Sequence, residues 1–183
     1  MSETKEKIVA MADQLIRVKG FNAFSYKDIS DPLSVKNAAI HYHFPVKADL
    51  GISVIDKELE KFAAHTHRWK NLPEDEQLVK LFDVFRKHSQ AHNICLMGSL
   101  APDYGTLSPD MQQKVQEMAT GILTWLTHCL EQGRRKKLLH FKGDAGDRAL
   151  LVISNLQASL LLSRVLGGGI CNRITKRLLE DLR

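Results

Sequence analysis

Apolar residues recur at intervals of three and four along almost the whole chain, and they form no alternating runs bounded by turn residues. That periodicity excludes sheet architectures and predicts an all-α protein. Ile8, Met11, Ala12, Leu15, Ile16 and Val18 make the first stripe, stopped by Gly20. Leu50, Val54, Ile55, Leu59 and Phe62 form one face of a long helix over about 46–69, which Asn71-Leu72-Pro73 breaks. Leu78, Leu81, Phe82 and Phe85 carry the next helix, over about 73–92. Residues 102–106 read as a loop. Ser108-Pro109 supplies an N-cap and a first-position proline for a helix that Gly133 is expected to end. The basic run from Arg134 to Lys137 reads as a solvated loop. A very apolar helix over about 147–166 then stops at Gly167-Gly168-Gly169, and a last helix starts near 172.

Charge and cysteine content narrow the function classes. The chain has 26 Lys+Arg against 21 Asp+Glu, a net charge of +5, which permits a nucleic-acid partner without requiring one. Three cysteines with no CxxC pair exclude a disulfide framework and a zinc ribbon, and they fit a reducing cytoplasm. The N-terminus enters a polar helix with no apolar leader. Residues 149–166 are apolar enough to raise the question of a membrane span. Asn155, Gln157, Arg164 and three serines within them favour a buried helix, so no membrane partner is expected. No glycine-rich phosphate loop, HExxH or GxSxG occurs, so neither an enzyme nor a cofactor is expected.

The segment from Ser25 to Lys47 is the most informative. It reads as two very short helices joined by a tight turn. Ser25 and Asp28 have capping-box spacing. Ile29 and Leu33 point to a core on the first helix, and Val35, Ile40 and Phe44 on the second. Lys36, Asn37, Ala39, His41 and His43 are left facing outward. Residues 32–48 contain no acid. A short helix with an anchored back and an acid-free, donor-rich front suits a DNA major groove; the alternative is a solvated helix hairpin.

The order helix, Gly20-Phe21, short helix, turn, short helix and long helix resembles the TetR family of bacterial one-component regulators over about residues 6–55. Its sharpest part is Ile40-His-Tyr-His-Phe-Pro-Val-Lys-Ala-Asp-Leu50. The resemblance implies a three-helix helix-turn-helix DNA-binding domain over 1–50, and a helical effector-binding and dimerisation domain over 51–183. By position, it implies phosphate contacts from Ser25, Tyr26 and Lys27, and base reading by Lys36, Asn37 and Ala39. It also implies backbone contact by His41, followed by Tyr42 and His43, and a phosphate contact from Lys47. Two departures stand out. Ser34 occupies a turn position where the family has glycine. Asp31-Pro32 predicts that the second helix ends about a turn early.

In the larger domain, the face through Phe85 continues as His88, His92 and Cys95 at helical spacing. Satisfied core histidines, a small-molecule pocket and a His-x3-His metal site all remain open; no metal is assigned because that face offers no carboxylate. With Tyr104, Met118, Ile122 and Trp125, these residues form a candidate effector pocket for a small apolar or aromatic, neutral or anionic molecule. Cys95 opens a Cys-Leu-Met-Gly-Ser-Leu-Ala string like one in some TetR-like regulators, so a thiol switch is the alternative trigger. The helix over 147–166 is apolar nearly all round and must be covered on more than one side. The family layout implies that the last two helices form a homodimer and that the partner is a near-palindromic double-stranded operator.

Overall fold

A computed structural model describes residues 3–183 as helices and turns; Met1 and Ser2, the start of the polar N-terminus, lie outside the described residues. The α-helices are α1 (Glu3–Lys19), α2 (Lys27–Leu33), α3 (Asn37–His43), α4 (Lys47–Trp69), α5 (Glu74–Gln90), α6 (Leu96–Leu100), α7 (Pro109–Arg135), α8 (Ala145–Leu166) and α9 (Ile170–Leu182). The chain divides into two compact units. One holds the residues up to Phe62 together with Leu96–Met118, and the other holds Ala63–Cys95 with Ala119–Arg183. The expected boundary at residue 50 therefore falls inside α4.

In the first unit, α1 places acids in its first turn and Arg17 and Lys19 in its last, as the helix dipole favours. Ile8, Val9, Ala12 and Ile16 face a core shared with Ile29, Ile40, Phe44, Leu50, Val54 and Ile55. Gly20, at φ +93°, turns the chain out of α1. Arg17 is buried and bonds Asp13 at 2.9 Å and Glu58 at 2.8 Å, so its charge is paired on both sides. α6 packs on α1. Residues 102–106 are not an open loop but a 3-10 helix, Ala101–Thr106. Asp103 there accepts from the Asn22 backbone and side-chain amides, each at 3.0 Å, and Thr106 Oγ1 accepts from the same side chain at 2.7 Å.

Helix α2 differs from expectation. It runs through Pro32 to Leu33 instead of ending early. Its end is closed by two backbone bonds: Ser34 N–H to Asp31 O at 3.2 Å, and Val35 N–H to Ser30 O at 3.1 Å. This is a Schellman closure with Ser34 in the left-handed region at φ +53°. Closure and burial of Ile29 together outweigh the one backbone bond that Pro32 cannot donate.

The second unit is built on α8 and α9, with α5 against both. Asp144 caps α8, accepting from Gly146 N–H at 2.7 Å and Asp147 N–H at 3.1 Å, so the helix starts slightly earlier than its apolar run. Arg86 donates to Thr175 at 3.0 Å and pins α5 to α9. Gly133 is not the stop of α7, which continues to Arg135. A side chain at 133 would collide with Leu139 and crowd Glu74, so this glycine is set by close packing. The basic run is correspondingly split, with Arg134 and Arg135 ending α7 and only Lys136 and Lys137 in the turn.

Candidate nucleic-acid interface and ligand recess

Helix α3 has seven residues, too few to be stable alone, so tertiary anchors must hold it. Ile40 and Phe44 are its buried anchors. Tyr26 adds a brace: its hydroxyl donates to Phe44 O at 2.7 Å and its ring meets His41 edge-on at 4.7 Å. Burial, then the nearby Asp49 charge, pushes the Tyr26 hydroxyl up, which keeps it a donor. On the opposite side Lys36, Asn37, His41 and Tyr42 are exposed, Tyr42 to 82%. Ser25 and Lys27 are exposed at the start of α2. Asp28 Oδ2 accepts from the Ser25 amide at 2.9 Å and its hydroxyl at 2.8 Å, and Oδ1 accepts from Lys19 at 3.0 Å. These bonds hold the Asp28 carboxyl well below the usual carboxylate range.

The structure departs from expectation at three places on this surface. Ala39 is half-buried, and Ala38 is the exposed alanine. With Ile40 fixed inward, position 38 shares a face with Tyr42, four residues on; that spacing was in the sequence and identifies Ala38 as a missed surface residue. His43 is likewise half-buried, edge-on to Tyr42 at 5.2 Å. Lys47 is engaged within the protein. Its ammonium donates to the carbonyl oxygens of Phe21 and Phe24 and lies 4.7 and 4.0 Å from the centroids of their rings. Burial lowers its pKa, with Asp103 and Asp28 opposing that shift.

The expected effector residues are divided between the two units. Tyr104 and Met118 belong to the first unit and the other six to the second. Phe85 is buried and His88 half-buried on α5. The helix ends at Gln90, and His92 sits beyond it, exposed, at φ +55°. His92 N–H bonds Ser89 O at 3.1 Å and Asn93 N–H bonds His88 O at 2.9 Å, a second Schellman closure. The expected His88–His92–Cys95 face therefore does not exist, because the left-handed residue turns the chain before Cys95. Cys95 is half-buried, just ahead of α6. Ile122 is half-buried on α7.

Only Trp125 of that set lines a recess of the second unit with a space of about 450 Å³. Ala63, Thr66, His67 and Lys70 line it from α4; Trp125, His128, Cys129 and Gln132 line it from α7 at the same i, i+3, i+4, i+7 spacing. Glu74 and Gln77 close it from α5. Glu74 is buried and its Oε1 accepts from Lys136 at 2.5 Å. Trp69 stands against Trp125 with ring centroids 6.0 Å apart. Burial, then the charges of Glu74 and Asp75, pushes the Cys129 thiol up to about 12, so it stays protonated. Two polar-apolar stripes of identical spacing were the available sequence signal. Nothing local says that they face each other.

Residues 8–54 match the family model described as bacterial regulatory proteins, tetR family. A TetR transcriptional regulator from Legionella pneumophila is 32% identical, with a TM-score of 0.88 covering 100% of this chain and 99% of that one. A TetR-family regulator from Agrobacterium tumefaciens is 28% identical, with a TM-score of 0.91 covering 97% and 96%. The HTH-type transcriptional repressor NemR of Escherichia coli K12 is 24% identical over 172 residues, 86% of this chain and 85% of NemR.

Proposed function

The chain belongs to the TetR family of transcriptional regulators, and we propose that it is a homodimeric repressor released from a near-palindromic operator by a small molecule. The observation that carries the DNA reading is α3: a buried Ile40–Phe44 back, a Tyr26 brace and an exposed, acid-free front. Asn37 suits bidentate reading of adenine, Lys36 donation to guanine, and the alanine methyls a thymine methyl. Ser25, Lys27, His41, Tyr42 and His43 serve the flanking backbone. Lys47 and Tyr26 act here as internal clamps that set the position of α3.

Dimerisation is supported by α8. Leu150, Leu151, Leu161, Leu162, Val165 and Leu166 are exposed along it, with Ser154 and Ala158 between them. Among the described residues α8 is long and apolar enough to cross a bilayer, but Val152, Leu156 and Leu160 bury its other side in its own unit. A second copy covers the exposed stripe and sets two α3 helices at a fixed spacing. NemR's designation as a repressor supports the sign of regulation. The effector site in this reading is the recess beside Trp125, and a cytoplasmic location follows from binding bacterial DNA.

The test is Asn37→Ala, read by DNA affinity across single-base operator variants. Loss of about 1–3 kcal/mol confined to one base pair of each half-site is expected; a uniform loss over all sequences would reject base reading by Asn37. A second reading, a thiol switch, is favoured by the half-buried Cys95 and by the fold-level likeness to NemR solved in a reduced form. Mass spectrometry after mild oxidant tests it: modification at Cys95 that releases DNA supports the switch, and an unmodified Cys95 rejects it.

A further inference from the structure

The recess in the second unit has a chemistry more specific than its shape. Its lining offers one aromatic side chain, Trp125, with the Trp69 ring 6.0 Å from it and tilted by 58°. The same lining carries hydrogen-bond donors: the Lys70 ammonium, the His67 and His128 imidazoles, and the Gln132 amide. Gln77 spends its own amide N–H on Leu72 O at 2.8 Å. The lining carries one carboxylate, Glu74, and its charge is matched by Lys136 at 2.5 Å. Lys70 forms no ion pair among the described residues. The unmatched charge of the recess is therefore positive, on a lining that also carries a flat indole.

Resting on the proposed effector site, we infer that the recess takes planar aromatic carboxylates, stacked on Trp125 with the acid group held by Lys70 and the imidazoles. At about 450 Å³ the space is within the range of small-molecule sites. A carboxylate there replaces its water with a charge-assisted bond to an ammonium that has no competing acid. Cys129 takes no part, because its thiol stays protonated and donates to Glu74 O at 3.5 Å. The competing class is a cationic aromatic amine, since Glu74 Oε2 is buried with no hydrogen-bond partner among the described residues.

The experiment is calorimetric titration of the full-length protein with 2-naphthoate, 2-naphthamide and 2-naphthylmethylamine, three probes of one ring shape and different charge. The carboxylate is expected to bind roughly ten- to a hundredfold more tightly than the amide, the gain of one charge-assisted bond, and the amine more weakly still. Lys70→Met should remove that gain while leaving amide binding in place, which shows that the variant is folded; Lys70→Arg should restore most of it. Trp125→Leu should weaken carboxylate and amide alike. Tighter binding of the amine, equal binding of all three, or no binding of any overturns the inference. The regulator reading fails separately. A chain that binds naphthoate but enriches no DNA from a random pool contradicts that reading and leaves this one standing.

Discussion

Around α3 the polar side chains stand outside a buried scaffold, whereas around Trp125 they face into a recess between helices. The α2–α3 segment is made from adjacent chain, so Ile29, Ile40 and Phe44 fix by spacing alone which neighbours point out. The recess is made from α4, α5 and α7, residues some sixty positions apart, and only tertiary packing decides that their stripes meet. Outward-facing sites on short elements are thus specified locally, while recesses between helices distant in sequence are specified by packing. The helix ends at Ser34 and His92 sharpen the contrast. Both close with the same two bonds and the same left-handed residue. At Ser34 the closure sets up the turn before α3; at His92 it turns the chain out of α5 and dissolves the stripe that periodicity had drawn.

The largest effect is expected on α8, where the two kinds of position are neighbours. Leu160 is 2% exposed and Leu161 54% exposed. Leu160→Glu buries an unpaired charge and should cost roughly 3–5 kcal/mol or more, unfolding the second unit in circular dichroism melts. Leu161→Glu should leave the melt of the monomer near wild type and shift sedimentation from dimer to monomer. Equal behaviour of the two variants would erase the distinction between the inner and outer faces of α8.

Next in size is Lys47→Met, which removes both carbonyl bonds but keeps an apolar stem over Phe21 and Phe24. A stability loss of about 1–3 kcal/mol is expected. DNA affinity should fall for every sequence, with a salt slope unchanged from wild type. A slope smaller by about 1 would instead return Lys47 to phosphate contact, as the family resemblance implies.

Smaller effects are expected at the two helix ends. Ser34→Gly and His92→Gly should each raise stability by up to about 1 kcal/mol, by relieving a left-handed L-residue. Ser34→Val and His92→Val should do the opposite. If Gly and Val were equivalent at either site, the closure would not be holding that turn. Neither His92 variant should alter ligand response, since His92 does not line the recess.

The smallest effect concerns acid. The folded-state pKa of Asp28 is depressed, so its contribution is present above the ordinary carboxylate range and lost as pH falls through it and below. Asp28→Asn should lower the melting temperature at neutral pH and flatten its fall below about pH 4. An unchanged acid limb would remove Asp28 from the bracing of α2.

Much of the fold was legible because helix periodicity and punctuation are local signals. Gly20 and Pro73 sit where the chain breaks, and α3 emerges at the expected place. The misreadings have separate causes. Pro32 stays inside α2 because Ile29 is buried and the helix end closes on Ser34, Gly133 stays inside α7 because Leu139 packs against it, and His92 looks like a helix former until its backbone is seen. Ala38 was recoverable, because fixing Ile40 inward places it beside Tyr42. The partners of Lys47 and Tyr26 were not, because backbone carbonyls carry no sequence signature.

In the proposed function two outward-facing α3 helices, fixed at one spacing by an α8–α9 dimer, read DNA. Selection of bound fragments from a random double-stranded pool tests it most directly. The account predicts an inverted repeat whose half-site centres lie about one helical turn apart or a multiple of it, and the loss of one conserved base pair in each half-site when selection is repeated with Asn37→Ala. Enrichment of a single asymmetric site, or of no sequence above the pool, would contradict it.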